Sequence, residues 1–422
     1  MESRNKSEHL ARWSVPGMAV LALVSFGQAG AAEPGPLRSA LSATKPIVDA
    51  RLRTEDVDQL GLANDANAIT LRARLGFETG KAWNTSLLVE GEAVVPLEND
   101  YRPDPSVPTM VTYPVVPDPE SYEVNRFQLV NTSLPGTTMT LGRQRILLDD
   151  QRFVGNVGWR QNEQTFDAFR IVNKSVKNLV LDASYLNRVN RIFGHDSPQG
   201  TYKGDSALLN ASYQTKVGKI AAFGYLLQFD DIVGVPAAVR DSTSTYGLRF
   251  AGERQAGKVK IGYLASWATQ TDAGDNPLAF DLDYQAAELS ATYKQFGLGA
   301  GLEVLEGNGS KGFTTPLATL HKFQGWADKF LATPANGIED AYVNAFVNLK
   351  AVGGLETLNV MLGYHDYEAE RIAADYGSEV NVSVAAKLQK VNFMLKYADY
   401  RQGVLASARD TEKYWMQIEF VW

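Results

Sequence analysis

The chain has 422 residues and a formal net charge of −7, from 41 basic and 48 acidic side chains. This acidic balance excludes a generally basic nucleic-acid-binding protein, and the lack of cysteine excludes disulfides, thiolate metal sites and thiol nucleophiles. The 36 glycines, 7 Trp, 18 Tyr and 18 Phe are many for an α-helical soluble enzyme.

The start of the chain has the pattern of a secretory signal peptide. Three basic residues precede an apolar stretch at 15–26, and small residues follow at 29–31. The alternative, an N-terminal membrane anchor, would need about 20 apolar residues. We therefore predict a signal peptide at 1–32 and one exported domain at 33–422.

From residue 46 onward, apolar and polar residues alternate with a period of two. In 413–422, Tyr414 and Met416 share one face of a strand, whereas Lys413 and Gln417 share the other. Segments of about 10 such residues suit the tilted strands of a membrane-spanning barrel. The predicted strands are 46–56, 68–79, 83–94, 123–132, 137–146, 163–172, 178–186, 206–214, 219–229, 244–252, 258–268, 284–294, 297–306, 341–350, 355–366, 378–388, 392–400 and 413–422.

Short turns and long connections alternate between these strands. Tight turns are predicted at 80–81, 135–136, 217–218, 256–257 and 353–354. A soluble β-sandwich is the alternative, but it has no reason to alternate in this way, and eighteen strands exceed what one open sheet usually holds. The pattern therefore predicts an all-β fold: a single 18-stranded antiparallel transmembrane β-barrel with short periplasmic turns, long extracellular loops and both termini in the periplasm.

Aromatic residues lie near many of the predicted strand ends. Tyrosine and tryptophan there are typical of the girdles that contact membrane interfaces. The candidates are Trp83, Phe229, Tyr246, Trp267, Tyr293 and Trp422.

The polar strand faces of such a barrel line an aqueous lumen, so their chemistry indicates the solute. Guanidinium groups bind carboxylates bidentately and stay charged, which favours an anionic solute, with nearby acids holding each arginine in place. The alternative is balanced charge that serves solvation alone. The candidate solute-binding residues on strands are Arg51, Arg53, Arg72, Arg74, Arg126, Arg170 and Arg249. Their expected charge partners are Asp49, Glu55, Glu78, Glu90, Glu92 and Asp167.

Two long connections are candidates for a constriction. Seven prolines in 95–122 favour a semi-rigid loop that folds over or into the pore. In 307–340, Thr315 is a suitable helix cap and apolar residues recur at helical spacing until Pro334, which predicts a short helix. Its polar side and Trp326 would constrict the mouth or contact sugar; the alternative is a helix that only packs on the rim.

Signals for catalysis are weak. The histidines His9, His195, His321 and His365 are scattered and show no metal-binding spacing, and no G-x-S-x-G motif is present. A G-x-G-x-x-G match at 307–312 lacks the α/β surroundings that a nucleotide site needs. We therefore expect no enzymatic activity, no cofactor and no metal. A barrel-borne hydrolase or a surface adhesin is the alternative from another class.

Three sequence phrases resemble the alginate-export outer-membrane family of Gram-negative bacteria: GRQRILLDDQRFVGNVGWRQNEQTFDAFR (142–170), NRVNRIFG (187–194) and FTTPLATLHKFQGWADKFLATPANGIEDAY (313–342). The resemblance extends over nearly the whole mature chain. It implies an 18-stranded barrel whose basic lumen passes the polyuronate alginate. By motif, it implies anion contacts for Arg143, Arg145, Arg152 and Arg160, and a constriction that contains Lys322 and Trp326.

We accordingly expect an outer-membrane channel that conducts an anionic polysaccharide or oligosaccharide, alginate or its oligomers, through an arginine-rich lumen. The alternative within transport is a general anion-selective porin for other acidic solutes. The expected partners are the oligouronate, outer-membrane lipid and, through the C-terminal strand, the barrel-assembly machinery, with no nucleic acid.

Overall fold

A computed structural model describes residues 35–230, 237–405 and 407–422. The predicted signal peptide, 1–32, lies outside the described residues. Two short helices, α1 (Pro36–Ser42) and α2 (Ala237–Arg240), accompany the strands. The strands are β1 (Lys45–Gln59), β2 (Ala66–Glu78), β3 (Thr85–Asp100), β4 (Ser121–Asn131), β5 (Thr137–Gln144), β6 (Thr165–Asn173), β7 (Leu179–Asn190), β8 (Thr201–Thr215), β9 (Gly218–Leu227), β10 (Thr243–Ala256), β11 (Val259–Asp272), β12 (Asp281–Tyr293), β13 (Phe296–Leu305), β14 (Ile338–Val352), β15 (Leu355–Glu368), β16 (Asp375–Leu388), β17 (Val391–Gln402) and β18 (Thr411–Val421).

Each strand pairs antiparallel with its neighbours, and β1 pairs with both β2 and β18. The sheet therefore closes on itself, which satisfies the hydrogen bonds that an open edge would leave to lipid. Every predicted strand overlaps an observed one. The predicted 18-stranded antiparallel barrel is confirmed.

The connections differ in length between the two ends of the barrel, as predicted. At the short-turn end, left-handed residues such as Gly136 (φ 63°) and Gly257 (φ 59°) close tight turns. The long-loop end carries the connections used below: L2 (101–120, after β3), L3 (145–164, after β5), L4 (191–200, after β7) and L7 (306–337, after β13).

The outer face of the barrel is an apolar belt. Tyr414, Met416 and Ile418 alternate along β18 with side chains 50%, 50% and 43% exposed, and equivalent rows follow the other strands. The predicted girdle residues Trp83, Tyr246, Trp267, Tyr293 and Trp422 are exposed there. Among the described residues, no helix is both long and apolar enough to cross a membrane.

The prediction was wrong for Phe229, which is buried. Strand β9 ends at Leu227, so Phe229 no longer follows the alternation of that strand. Its ring packs on Tyr202 instead, with ring centroids 4.8 Å apart.

The proline-rich loop folds over the pore as expected. Within L2, Tyr101 and Val116 pack against Val57, Ala66 and Ala68, which are buried residues at the long-loop ends of β1 and β2. This contact covers the lumen beside β1 and β2.

The helix predicted within 307–340 does not form. L7 contains only a 3₁₀ turn at Leu320–Lys322, without a side-chain cap hydrogen bond from Thr319. Gln324 (φ 48°) and Asp328 (φ 61°) have left-handed backbone conformations that an α-helix excludes. The apolar residues of L7 pack against several strands rather than along one helix face.

Candidate functional site

L3 and L7 run side by side into the lumen, and we call them together the L3–L7 plug. Val154 of L3 and Leu317 of L7 form a parallel bridge. The Gly155 N–H donates to the Leu317 carbonyl (2.8 Å), and the Thr319 N–H donates to the Gln151 carbonyl (3.1 Å). These bonds satisfy backbone groups that would otherwise be buried without partners.

One side of the plug is apolar and aromatic. Phe153 of L3 packs on Phe223 (centroids 4.9 Å apart), Tyr284 (5.2 Å) and Phe313 of L7 (6.2 Å). Phe313 is fully buried. This contact joins both loops to the wall formed by β9 and β12.

The opposite side of the plug is joined to the wall by buried ion pairs. Arg160 of L3 donates to Glu55 of β1 (2.8 Å) and to Asp328 of L7 (2.9 Å), and lies 3.8 Å from Asp118 of L2. Burial by itself would lower the pKa of Arg160, but these three carboxylates outweigh it and raise that pKa. One guanidinium therefore joins three loops and a strand.

The predicted arginines of β1 and β2 line the lumen, but the plug covers them. Arg51 donates to Glu419 (2.7 Å) and to the Gly158 carbonyl of L3 (3.1 Å). Arg72 donates to Asp49 (2.5 Å) and is fully buried. Both arginines pair with acids, although Glu419 is not among the predicted partners, and their contact with solute stays a prediction.

Two more predicted arginines converge on Glu163 of L3. Arg145 forms an ion pair with Glu163 at 2.5 Å, and Arg74, which also bonds to Glu92, lies 3.5 Å from it. Burial alone would raise the pKa of Glu163, yet Arg74 and Arg145 lower it to about 2. Glu163 therefore anchors L3 as a carboxylate across the physiological range.

Most other predicted lumen cations are also neutralised. Arg53 lies 3.7 Å from Asp118 and stacks on Trp159 of L3, its guanidinium carbon 4.1 Å from the ring centroid. Glu78, exposed at the short-turn end of β2, has no ion-pair partner among the described residues. The remaining pairs are Arg126–Glu90 (2.6 Å), Arg152–Glu303 (2.6 Å), Arg170–Asp182 (2.5 Å) and Arg249–Asp150 (3.1 Å).

Arg143 and Asp167 do not face the lumen, which corrects their predicted location. They pair with each other at 2.7 Å. Arg143 lies opposite Phe127 in the β4–β5 register, and Phe127 is 53% exposed on the outer face. On β6, Phe166 points into the core, so its neighbour Asp167 points outward.

A cavity of about 600 Å³ lies beside the plug, and we call it the cationic cavity. It is lined by Gln151, Asn156, Gly158, Trp159, Thr319, His321, Lys322, Trp326, Met361 and Lys396. Its lining includes two lysines and no carboxylate. Lys322, exposed, donates to the Asp150 backbone carbonyl at 2.8 Å, and no carboxylate pairs with it among the described residues.

Stacked rings and a buried lysine form the floor of this cavity. His321 stacks on Trp159 with centroids 4.3 Å apart, and the Lys396 ammonium lies 3.7 Å from the Trp326 ring centroid. The imidazole Nδ1 faces Asp328 (2.7 Å), and Nε2 faces the Lys396 ammonium (2.6 Å). Because Nε2 must accept from that ammonium, burial and the nearby cation keep the pKa of His321 well below its usual value.

Sequence reasoning misses Trp159 and Lys396 as parts of this cavity. Lys396 lies among apolar neighbours in β17, which indicates an inward direction, but nothing local connects it to L3. Only the fold brings the two residues together.

A second cavity, of about 350 Å³, shares Lys322, Trp326 and Met361 with the cationic cavity. Its other lining groups include Glu288 and Asp340, so it is more acidic. Lys322 therefore lies at the boundary between a basic and an acidic chamber. Among the described residues, no group of histidines and carboxylates is placed to hold a metal ion.

The alginate-export family model matches residues 126–294, from within β4 to the end of β12. The resemblance predicted from the sequence phrases is thereby confirmed over this region. No curated protein matches the chain.

Solved structures of Pseudomonas aeruginosa outer-membrane proteins share the fold. The structure of OpdK with vanillate has a TM-score of 0.69 at 14% identity, covering 90% of this chain and 99% of that one. OccK9 (OpdG) has 0.70 at 14% identity, covering 91% and 100%. OccK2 (OpdF) in complex with glucuronate has 0.67 at 14% identity, covering 91% and 99%.

The closed barrel, its apolar belt and the family match together identify the protein as an outer-membrane channel for solutes. The predicted location in the outer membrane is confirmed. The short-turn end is accordingly the periplasmic end, and the long-loop end is extracellular.

Proposed function

We propose that the channel passes acidic saccharides, uronate oligomers of the alginate type, and that Lys322 is the cation their carboxylates meet beside the plug. The exposed ammonium of Lys322 at the boundary of the two cavities carries this proposal. It is bonded to a backbone carbonyl and not to an acid, so a passing carboxylate can bind it without displacing a salt bridge.

The neighbouring side chains suit a sugar. Trp326 and Trp159 offer aromatic faces, and Gln151, Asn156 and Thr319 offer polar groups to hydroxyls. Conduction requires binding that is weak enough to release the solute. A few free cations meet this requirement better than a continuous row of unpaired arginines.

The comparisons support the same solute class. The matched family is named for alginate export, and OccK2 was solved with glucuronate, which is a uronate. Alginate is a polymer of uronates, so the same carboxylate-bearing ring would reach Lys322.

A general porin for small carboxylates is the second candidate. The observation that favours it is the pairing of Arg51, Arg72 and Arg74 with acids beneath the plug. A long polyanion would find few unpaired cations along this wall, whereas a small carboxylate needs only Lys322.

Single-channel recording of the refolded protein in planar bilayers tests both candidates. Mannuronate and guluronate oligomers should block the current at concentrations where a neutral glucan of equal length does not. Lys322→Gln should weaken this block about tenfold, as expected for one charge-assisted hydrogen bond. Lys258→Gln, in the periplasmic turn after β10, is the matched control and should leave the block unchanged.

Each other result has a defined meaning. Equal block by simple monocarboxylates and by the oligomers would favour the general porin. An unchanged block in Lys322→Gln would remove that residue from the route, and a protein without conductance would favour the adhesin or hydrolase alternatives.

A further inference from the structure

A polar pocket of about 550 Å³ opens on the outer wall of the barrel, outside the lumen. It is lined by Tyr122, Glu123, Val124, Phe127, Gly142, Arg143, Asp167, Arg188, Asn190, His195, Gly200 and Thr201. It exists because β5 leaves the wall at Gln144 to become L3, whereas β4 continues upward, unpaired with β5 beyond Phe127. L4 bridges the gap, and the His195 N–H of L4 donates to Glu123 (2.7 Å).

The pocket lining carries two acids, Glu123 and Asp167, and two arginines, Arg143 and Arg188, of which only Arg143 forms an ion pair among the described residues. Asp167 is paired with Arg143, which also donates to the Val124 carbonyl at 2.9 Å. Glu123 accepts the His195 N–H, but the guanidinium of Arg188 has no partner among the described residues. Asp167 lies opposite Arg188 in the β6–β7 register but is bonded to Arg143, so the donors of the Arg188 guanidinium stay free for a ligand.

A second cation lies next to it. Lys203 of β8 is directly opposite Arg188 in the β7–β8 register, is exposed, and forms no ion pair in the described part of the chain. Like charges placed opposite each other on neighbouring strands destabilise a sheet. An anion bound between them would remove this repulsion.

The height of the pocket indicates what that anion is. Strand β7 begins at Leu179 at the periplasmic end, and Arg188 lies about nine residues further. At about 3.3 Å per residue and a tilt of about 40°, this spans about 23 Å, close to the roughly 25 Å apolar band of such barrels. Arg188 is thus at the headgroup level of the outer leaflet, beside the exposed apolar side chains of Val124 and Phe127.

We infer that this pocket binds the phosphate of an anionic lipid of the outer leaflet. Arg188 supplies the guanidinium fork, which matches phosphate geometry, Lys203 supplies a second charge, and the apolar side chains contact an acyl chain. Arg143 forms an ion pair with Asp167 at the base of the pocket, so Asp167 does not bind Arg188.

Native mass spectrometry of the refolded full chain in detergent, titrated with bisphosphorylated lipid A, tests this inference. Arg188→Gln should weaken lipid retention about fivefold, and Arg188→Gln with Lys203→Gln should weaken it further, since each cation near an anionic lipid surface contributes about that factor. Arg254→Gln, an exposed arginine near the periplasmic end of β10, is the matched control and should retain the lipid.

Three comparisons make the test decisive. Lipid A without its phosphates should bind equally weakly to the parent protein and to Arg188→Gln. If Arg188→Gln weakens the binding of this lipid as much as that of bisphosphorylated lipid A, the inference is overturned. If inorganic phosphate protects the protein from thermal unfolding to the same extent as the lipid, the ligand of the pocket is a free anion and not a lipid. A change in oligomer mass instead of lipid count would make the pocket a contact between copies.

Folding and transport are monitored separately. Heat-modifiable gel mobility confirms that each variant forms the barrel, and Lys203→Gln provides a second single variant if Arg188→Gln does not fold. Uronate block should be unchanged in all outer-wall variants, so a failure of the proposed transport function stays distinguishable from a failure of this site.

Discussion

The two sides of the L3–L7 plug are held to the barrel by different physical interactions. Toward β1–β3 the contacts are buried ion pairs centred on Arg160 and Glu163. Toward β9–β12 they are aromatic contacts centred on Phe153 and Phe313. The charged side is sensitive to pH and to the loss of one partner. The aromatic side depends mainly on packing volume, with the Arg152–Glu303 ion pair beside it.

Removing the central cation should have the largest effect. Arg160→Met would leave Glu55, Asp118 and Asp328 buried without it, a change that costs about 3–5 kcal/mol for a broken buried ion pair. We expect the plug to detach and the single-channel conductance to rise. The charge-conserving variant Arg160→Lys is the control.

Truncating the aromatic side should release the plug without adding to the pH dependence of the parent protein. Phe313→Ala would open a cavity at a fully buried site and cost about 3 kcal/mol. Conductance and current noise should both increase, and their change between pH 7 and pH 5 should be no larger than in the parent protein. A pH dependence stronger than that of the parent protein would contradict the division into two kinds of contact.

Acid should weaken the charged side of the parent protein in two steps. His321 has a folded-state pKa below its usual 6.5, so protons bind the detached state first and plug stability falls as the pH drops below about 6.5. Glu163 has its pKa lowered to about 2, so its contribution, complete above about 4.5, is lost between 4.5 and 2. Current noise recorded against pH should rise in both windows, and His321→Gln should remove only the upper one.

The smallest effect should come from a pair that water reaches. Lys387 and Glu356 lie 3.3 Å apart with side chains about half exposed. Lys387→Gln should change the free energy of unfolding by less than about 1 kcal/mol and leave the conductance unchanged. A loss as large as that of Arg160→Met would mean that burial is not what makes the plug contacts strong.

Much of the lumen chemistry was predictable from strand periodicity. Arg51 and Arg72 alternate with apolar residues, so their inward direction follows from period two once the barrel is accepted. Their burial was not predictable, because the L3 backbone that covers Arg51 is distant in sequence and has no periodic pattern. The role of these arginines in solute contact stays a prediction.

Where the chain leaves the regular strands, local pattern misleads. Apolar spacing in L7 predicted a helix, yet Phe313 and Phe330 pack against different parts of the wall and left-handed residues interrupt the turn. Arg143 lies two residues after Leu141, which is exposed on the outer face, so period two within β5 places it outward, and the register with β4 agrees. The path of L7, in contrast, is not encoded by neighbouring residues.

The sequence by itself determined the closed barrel, the number of strands and the distinction between turns and loops. It could do so because the outer face of each strand contacts apolar surroundings and the inner face contacts more polar ones. Apolar and polar residues therefore alternate along each strand segment. Only the tertiary structure decided which cations stay free. In the described part of the chain, Lys322 and Arg188 form no ion pair because of where L3, L4 and L7 lie, and that depends on contacts between residues far apart in the chain.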